Sequence, residues 1–283
     1  MKDYSIGLYE KALPPELSWR EKCAAAKACG YDFLEISIDE TEEKLRRLRL
    51  SRVERRELAE TLYEADLPVR TMCLSGHRKY PLGSANPQTR ARSLAIMEGA
   101  LDFAADLGIR VIQLAGYDVY YEPSTEQSRA LFCEGLERAV AMAAARGVML
   151  AFETMETEFM NTVAKAMEYV RKINSPWLGV YPDSGNITCA ARAYNTSVLD
   201  DMRAGSGAVC AVHLKESAPG RFREVPYGTG HVDFPALIRC ARADGTALFV
   251  TEFWYCGEPD YAQVVRAAKT FIDEQFRQAA QPV

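Results

Sequence analysis

The sequence predicts an α/β protein of the (β/α)8 class, a parallel eight-stranded barrel with outer helices, formed as one domain over residues 1–283. Two observations predict it. Short apolar runs alternate eight times with amphipathic helical stretches. The runs are continuously apolar rather than strictly alternating, which marks strands covered on both faces, as in a parallel sheet under helices. The length of 283 residues suits one such barrel, which commonly takes about 250 residues.

The elements follow in order. Ser5–Tyr9 is the first run, and the helical stretch Ser18–Cys29 opens with Ser18-Trp-Arg-Glu21, the spacing of a capping box. Phe33–Ile38 is the second run. The charge-dense stretch Glu42–Arg56 reads as a solvated helical surface, and Val69–Leu74 is the third run. Helical Leu94–Leu107 leads to the fourth run, Val111–Leu114, and helical Leu131–Arg146 leads to the fifth, Val148–Phe152. Helical Thr162–Ile173 precedes the sixth, Leu178–Tyr181, and Val209–Leu214 and Leu248–Thr251 complete the set. Gly30, Gly108, Gly147, Gly207 and Gly245 stand before five of the runs, where glycine accepts the left-handed end of a helix. The runner-up is an open doubly wound sheet, whose dinucleotide fingerprint is missing after the first run. Gly228-Thr-Gly230 lacks the third glycine and reads as a loop turn.

Composition narrows the function. Hydrophobic residues make up 48% of the chain and charged residues 26%, which excludes a mainly disordered chain. The net charge is −5 with no basic block, so nucleic acid is not an expected partner. No apolar run is long enough to span a bilayer, and the first residues lack the apolar core of a secretion signal. Eight cysteines without a Cys-x-x-Cys pair, mostly in apolar stretches, fit buried free thiols in a reducing compartment. A cytoplasmic protein without a membrane partner is expected.

In a barrel, chemistry collects at the C-terminal ends of the strands. Glu153, Asp183 and Glu252 follow runs five, six and eight, and His213 lies at the end of run seven. Three carboxylates and one imidazole on neighbouring strands suit a divalent cation, whether Mn, Mg, Co or Zn. The chain's three histidines, His77, His213 and His231, are too few for a trinuclear zinc site of the endonuclease IV type. A metal held by two glutamates suits proton transfer beside a sugar carbonyl. Such a metal would stabilise an enediolate while one carboxylate removes the proton and a second, on the opposite face, returns it; the two glutamates, Glu153 and Glu252, are the candidates for that pair.

Several longer stretches carry a resemblance. They are Gly7-Leu-Tyr-Glu-Lys-Ala-Leu-Pro14, Met72-Cys-Leu-Ser-Gly-His-Arg-Lys-Tyr-Pro-Leu-Gly-Ser84 and Val111-Ile-Gln-Leu-Ala-Gly-Tyr-Asp-Val-Tyr-Tyr121. Tyr181-Pro-Asp-Ser-Gly-Asn186, Ala211-Val-His-Leu-Lys215, Val225-Pro-Tyr-Gly-Thr-Gly230 and Val232-Asp-Phe234 continue it nearly end to end. The sequence resembles the L-ribulose 5-phosphate (L-xylulose 5-phosphate) 3-epimerases of bacterial L-ascorbate and related sugar breakdown. These belong to the xylose-isomerase-like, metal-dependent TIM-barrel superfamily. The resemblance implies epimerisation at C3 of a ketopentose 5-phosphate. It maps the metal positions onto Glu153, Asp183, His213 and Glu252, and a homodimer would be in keeping with the superfamily. Related epimerases of unphosphorylated ketoses carry a substrate-contacting histidine three residues after the metal Asp; here that position is Asn186, which hydrogen-bonds without charge.

The metal ligands occupy half of the ring, so a substrate tail should extend towards runs one to four. There His77-Arg78-Lys79 suits a phosphate dianion. The rule for barrels instead favours Lys215 and the loop Pro226-Tyr-Gly-Thr-Gly230. Glu35 and Gln113 read equally as substrate contacts or as polar groups of the barrel layers. Tyr9 and Glu10 read as lining the mouth or as plain surface. His231 reads as a loop residue, and the Tyr117–Tyr121 loop as a cover or a subunit contact. The rival functions are an aldose–ketose isomerase, an epimerase of an unphosphorylated ketose, an endonuclease IV-like hydrolase and a sugar-phosphate-binding barrel without catalysis.

Overall fold

The computed structural model describes residues 3–281. Its strands are β1 (Ser5–Tyr9), β2 (Phe33–Ile38), β3 (Val69–Leu74), β4 (Val111–Ala115), β5 (Met149–Glu153), β6 (Leu178–Tyr181), β7 (Val212–Leu214) and β8 (Leu248–Thr251). They form one parallel sheet in the order β6-β5-β4-β3-β2-β1-β8-β7. Every apolar run of the sequence became a strand.

The seam between β6 and β7 differs from the expected full ladder. Isolated parallel bridges pair Val180 with Val209 and Asp183 with His213. The Val180 amide donates to Ala208 O at 2.9 Å, and the Cys210 amide donates back to Val180 O at 2.9 Å. Regular pairing of β7 therefore begins at Val212 rather than Val209. The approach here is close. A side chain at Gly179 would place its Cβ 2.5 Å from Ala208 O and Cys210 Sγ, so glycine lets the barrel shut.

The outer helices are α1 (Trp19–Ala28), α2 (Glu42–Arg47), α3 (Arg52–Glu64), α4 (Pro87–Leu107), α5 (Glu126–Arg146), α6 (Val163–Ile173), α7 (Ser184–Tyr194), α8 (Val198–Ala204), α9 (Phe234–Ala243) and α10 (Tyr261–Ala279). The Ser18 capping box forms as expected. α4 starts seven residues before the apolar pattern does, because Asn86 caps it and Pro87 occupies its first turn. α5 likewise starts at Glu126, behind a capping box of Thr125 and Ser128. Left-handed glycines close both helices, Gly108 at φ 74° and Gly147 at φ 65°.

One apolar cluster joins sheet to helices, and a second lies inside the barrel with Tyr9, Phe33, Val111, Tyr181 and Val250. Strand alternation then sends Glu35, Gln113, Glu153, Asp183, His213, Lys215 and Glu252 to the same interior. The stretch Glu42–Arg56 is not one solvated surface. It breaks between α2 and α3, and Lys44 and Arg47 turn inward to a buried carboxylate, Glu10. Among the described residues no helix is long and apolar enough to cross a membrane.

Candidate active site

Glu153 ends β5, Asp183 caps α7 just past β6, His213 lies in β7, and Glu252 follows β8. One ligand atom from each lies within 4.8 Å of the others, and all four residues are buried. His213 is the centre of the group. Its Nδ1 is 2.9 Å from Glu153 Oε1, 3.2 Å from Glu252 Oε2 and 4.0 Å from Asp183 Oδ2. Its Nε2 is 2.6 Å from Glu35 Oε1 on β2.

Glu153 and Asp183 are held by hydrogen bonds from the chain. The amide side chain of Gln113 donates to Glu153 Oε2. The amide of Asp183 donates to Thr154 Oγ1 at 2.9 Å, and Asp183 Oδ1 accepts the Asn186 amide at 2.7 Å. Lys215 Nζ lies 3.1 Å from Asp183 Oδ2 and 3.8 Å from Glu252 Oε2, and donates to Asn186 Oδ1 at 3.0 Å.

Burial pushes the carboxyls of Glu153 and Asp183 up. Burial acts on Glu252 as well, but the charges of His213 and Lys215 outweigh it and hold Glu252 low. His213 would be driven down by burial, yet Glu35, Glu252 and Glu153 raise it well above its ordinary value. Lys215 is also raised, by Asp183 and Glu252 against burial.

The group fits a divalent cation. Asp183 Oδ2 and Glu252 Oε2 are buried and accept no hydrogen bond, although cationic nitrogens lie beside them. Buried oxygens in that state are rare unless an ion or water engages them. Three carboxylates and one imidazole are an oxygen-rich donor set of the kind that binds Mn, Mg, Co or Zn.

Residues 23–274 match the family model described as xylose isomerase-like TIM barrel. L-ribulose-5-phosphate 3-epimerase UlaE of Escherichia coli O157:H7 is 41% identical over 279 residues, covering 98% of this chain and 97% of that protein. The chain belongs to this epimerase family. The Shigella sonnei (strain Ss046) relative of the same name is 43% identical over the same shares. This family member is accordingly an enzyme acting on carbohydrates. Two solved structures share its fold at low identity. D-psicose 3-epimerase, solved in the presence of D-fructose, has a TM-score of 0.79 at 17% identity, covering 98% of this chain and 100% of that one. L-ribulose 3-epimerase has a TM-score of 0.76 at 18%, covering 98% and 95%.

The structure distributes the expected substrate contacts of the family member unevenly. Asn186, Lys215 and Arg78 line a pocket together with Glu153 and Glu252. Glu35 and Gln113 do not; they are fully buried layer groups that hold His213 and Glu153. His77 is not at the mouth either. The short turn Gly76–Arg78 aims it outward, where Nε2 lies 3.1 Å from Ser93 O. Burial lowers its pKa to about 4, which leaves it uncharged near neutrality. Lys79 is exposed against the Tyr80 ring. The amide of Gly228 donates to buried Glu216 and that of Thr229 to Pro226 O, so the 226–230 loop has tied two of the donors a phosphate would need. His231 sits by Ser217, as a loop residue.

Tyr9 lines the pocket while Glu10 faces the opposite way, into the helices. Tyr117 and Tyr120 pack against Arg78, with ring centroids 5.9 Å and 4.9 Å from its guanidinium carbon. Sequence reasoning missed Lys11, Arg223 and Trp254, which also line the pocket. A signal existed for Trp254, two residues past Glu252 in strand period. Arg223 lies in an aperiodic loop and offered none.

Proposed function

We propose that this protein inverts C3 of a ketopentose 5-phosphate, interconverting L-xylulose 5-phosphate and L-ribulose 5-phosphate. The observation that carries the reading is the convergence of Glu153 and Glu252 on one imidazole nitrogen from strands three apart around the barrel. The names of the relatives support the substrate.

A divalent cation held by Glu153, Asp183, His213 and Glu252 would supply Lewis-acid stabilisation of negative charge on the C2 and C3 oxygens. The chain's own groups do the rest. Glu153 and Glu252, 2.9 Å and 3.2 Å from His213 Nδ1, form the acid–base pair. One takes the C3 proton and the other returns one to the opposite face; the roles exchange with the direction of reaction. Lys215 and Asn186 line the pocket, and the Lys215 ammonium, held at 3.0 Å by Asn186 Oδ1, would orient a sugar oxygen. Arg78 stands on the β3 side, its Nε buried and without a hydrogen-bond partner, and suits the phosphate as a planar fork. A cytoplasmic setting suits such a substrate.

The test is proton NMR in heavy water with L-xylulose 5-phosphate, with and without a chelator. The expected result is metal-dependent L-ribulose 5-phosphate carrying deuterium at C3. Deuterium at C1 with an aldose product would make the protein an isomerase. No exchange after adding Mn, Mg, Co and Zn in turn would overturn the reading.

A further inference from the structure

The pocket lined by Glu153 and Glu252 has a volume of only about 50 Å³. Sites for small organic ligands are typically about 300–1,000 Å³, so this space suits a few waters rather than a sugar phosphate. A second cavity of about 610 Å³ adjoins it, walled by Val225, Tyr227, Phe253, Val264 and Phe271. Lys215, Glu252 and Trp254 line both spaces. The indole of Trp254 is thus part of the partition. Tyr9 meets it edge-on at 6.1 Å, and the Arg223 guanidinium lies 5.4 Å from its centroid.

One chain segment roofs both spaces. Phe222 and Arg223 cover the narrow pocket, and Glu224 to Tyr227 cover the wide one. Its base is tied down. Tyr227 donates to the carbonyls of Leu214 and Glu252, and Glu216 accepts the amides of Gly228 and Val232. Its tip is exposed at residues 219–221 and at Arg223 and Glu224. The tip lies between two left-handed residues, Gly220 at φ 71° and Glu224 at φ 54°. A non-glycine residue keeps that conformation only while its surroundings hold it.

We propose that Trp254, latched by Arg223, is a gate between this outer chamber and the catalytic pocket. The identity of what passes rests on the function proposed above. The chamber is a passage rather than a resting place. Its walls are mostly apolar, and Lys215 at the partition is the one cation on its lining, so it offers a phosphate no fork of donors to rest on. Lifting Arg223 frees the indole to swing, which joins the two spaces; its return seals the carboxylates from water.

The test uses metal-loaded wild type and the variants Arg223→Gln, Trp254→Phe and Trp254→Ala. Acrylamide quenching of Trp254 is isolated as the difference between wild type and Trp254→Phe. Arg223→Gln, compared with the same substitution in the Trp254→Phe background, should raise that quenching about twofold or more, since the latch is gone. In heavy water, deuterium entering recovered L-xylulose 5-phosphate at C3 is measured per epimerisation event. Trp254→Ala should raise this ratio about threefold or more by admitting water, and Trp254→Phe should restore it towards wild type. Unchanged quenching in Arg223→Gln overturns the latch. An unchanged exchange ratio in Trp254→Ala overturns the gate. Lack of turnover by wild type falls on the functional reading instead, and the quenching experiment still decides the latch.

Discussion

Glu35 Oε1 stands 2.6 Å from Nε2 of His213, while the Tyr181 hydroxyl donates to Glu35 Oε2 at 2.8 Å. The carboxylate accepts the Nε2 proton and so turns Nδ1 towards Glu153 and Glu252. Partners of this kind fix a ligand histidine's tautomer and raise its basicity. Glu35→Gln loses the negative charge behind the imidazole. It should weaken divalent-metal binding about 10- to 100-fold. Competition against a chelator of known affinity measures this, and unchanged affinity would reduce Glu35 to packing.

Glu153→Gln and Glu252→Gln remove the proposed acid–base groups while preserving shape. Each should lower turnover of L-xylulose 5-phosphate by about 10²- to 10⁴-fold. Circular dichroism should match wild type. Wild-type turnover by either variant would remove that residue from its role.

The barrel was legible because its strands are apolar on both faces and its turns carry glycine. The four candidate ligand residues were legible because they stand at or just past the ends of four successive runs. What lay beyond the period of a strand was not. Tyr9 points into the barrel, so alternation sends Glu10 outward, but nothing local says that Lys22, Lys44 and Arg47 gather there from two helices. Glu35 and Gln113 were correctly suspected of facing inward. Their depth below the rim depends on how strands stagger around the barrel, and that stagger separates a substrate contact from a group that holds a ligand. His77 sits beside Arg78, yet one step along a tight turn sends it to α4 instead of the pocket.

Arg78 and Lys79 therefore part ways. A hydrogen bond to a charged group contributes about 1.5–3 kcal/mol, so Arg78→Met should cut kcat/KM for the 5-phosphate about 10- to 100-fold. Unphosphorylated L-xylulose should lose little. Lys79→Met should be near wild type with both. An equal loss on both substrates would place Arg78 on the sugar or in the scaffold rather than on the phosphate.

His77 gives a dependence on pH. Burial lowers its folded pKa to about 4, with the Ser93 carbonyl opposing the shift. The unfolded chain takes up this proton near pH 6.5, and the folded chain only near pH 4. Between those values the unfolded state binds more protons, so stability contributed by neutral His77 is complete above pH 6.5 and is lost as pH falls towards 4. Urea unfolding of wild type and His77→Gln across this window should show a steeper loss in wild type. Parallel curves would mean that the histidine is not protected from protonation.

Glu10 makes the strongest demand on stability. Its carboxylate is buried between Lys22 Nζ at 3.2 Å, Lys44 Nζ at 2.6 Å and Arg47 Nη1 at 2.7 Å, and it also accepts the Ser37 amide at 2.9 Å. Burial disfavours its charge, but Arg47, Lys44 and Lys22 hold it far below the usual carboxylate range. Its folded pKa is depressed, so its contribution is present above the unfolded carboxyl value and declines as pH falls through the folded one. Glu10→Gln leaves three inward-facing cations without a countercharge. Removing one partner of a buried ion pair costs about 3–5 kcal/mol, and that loss should appear in urea unfolding at neutral pH. The double variant Glu10→Gln/Lys44→Met should recover part of it, because one of the stranded charges is gone. If Glu10→Gln costs less than about 1 kcal/mol, the level of an exposed surface pair, water already screens this cluster.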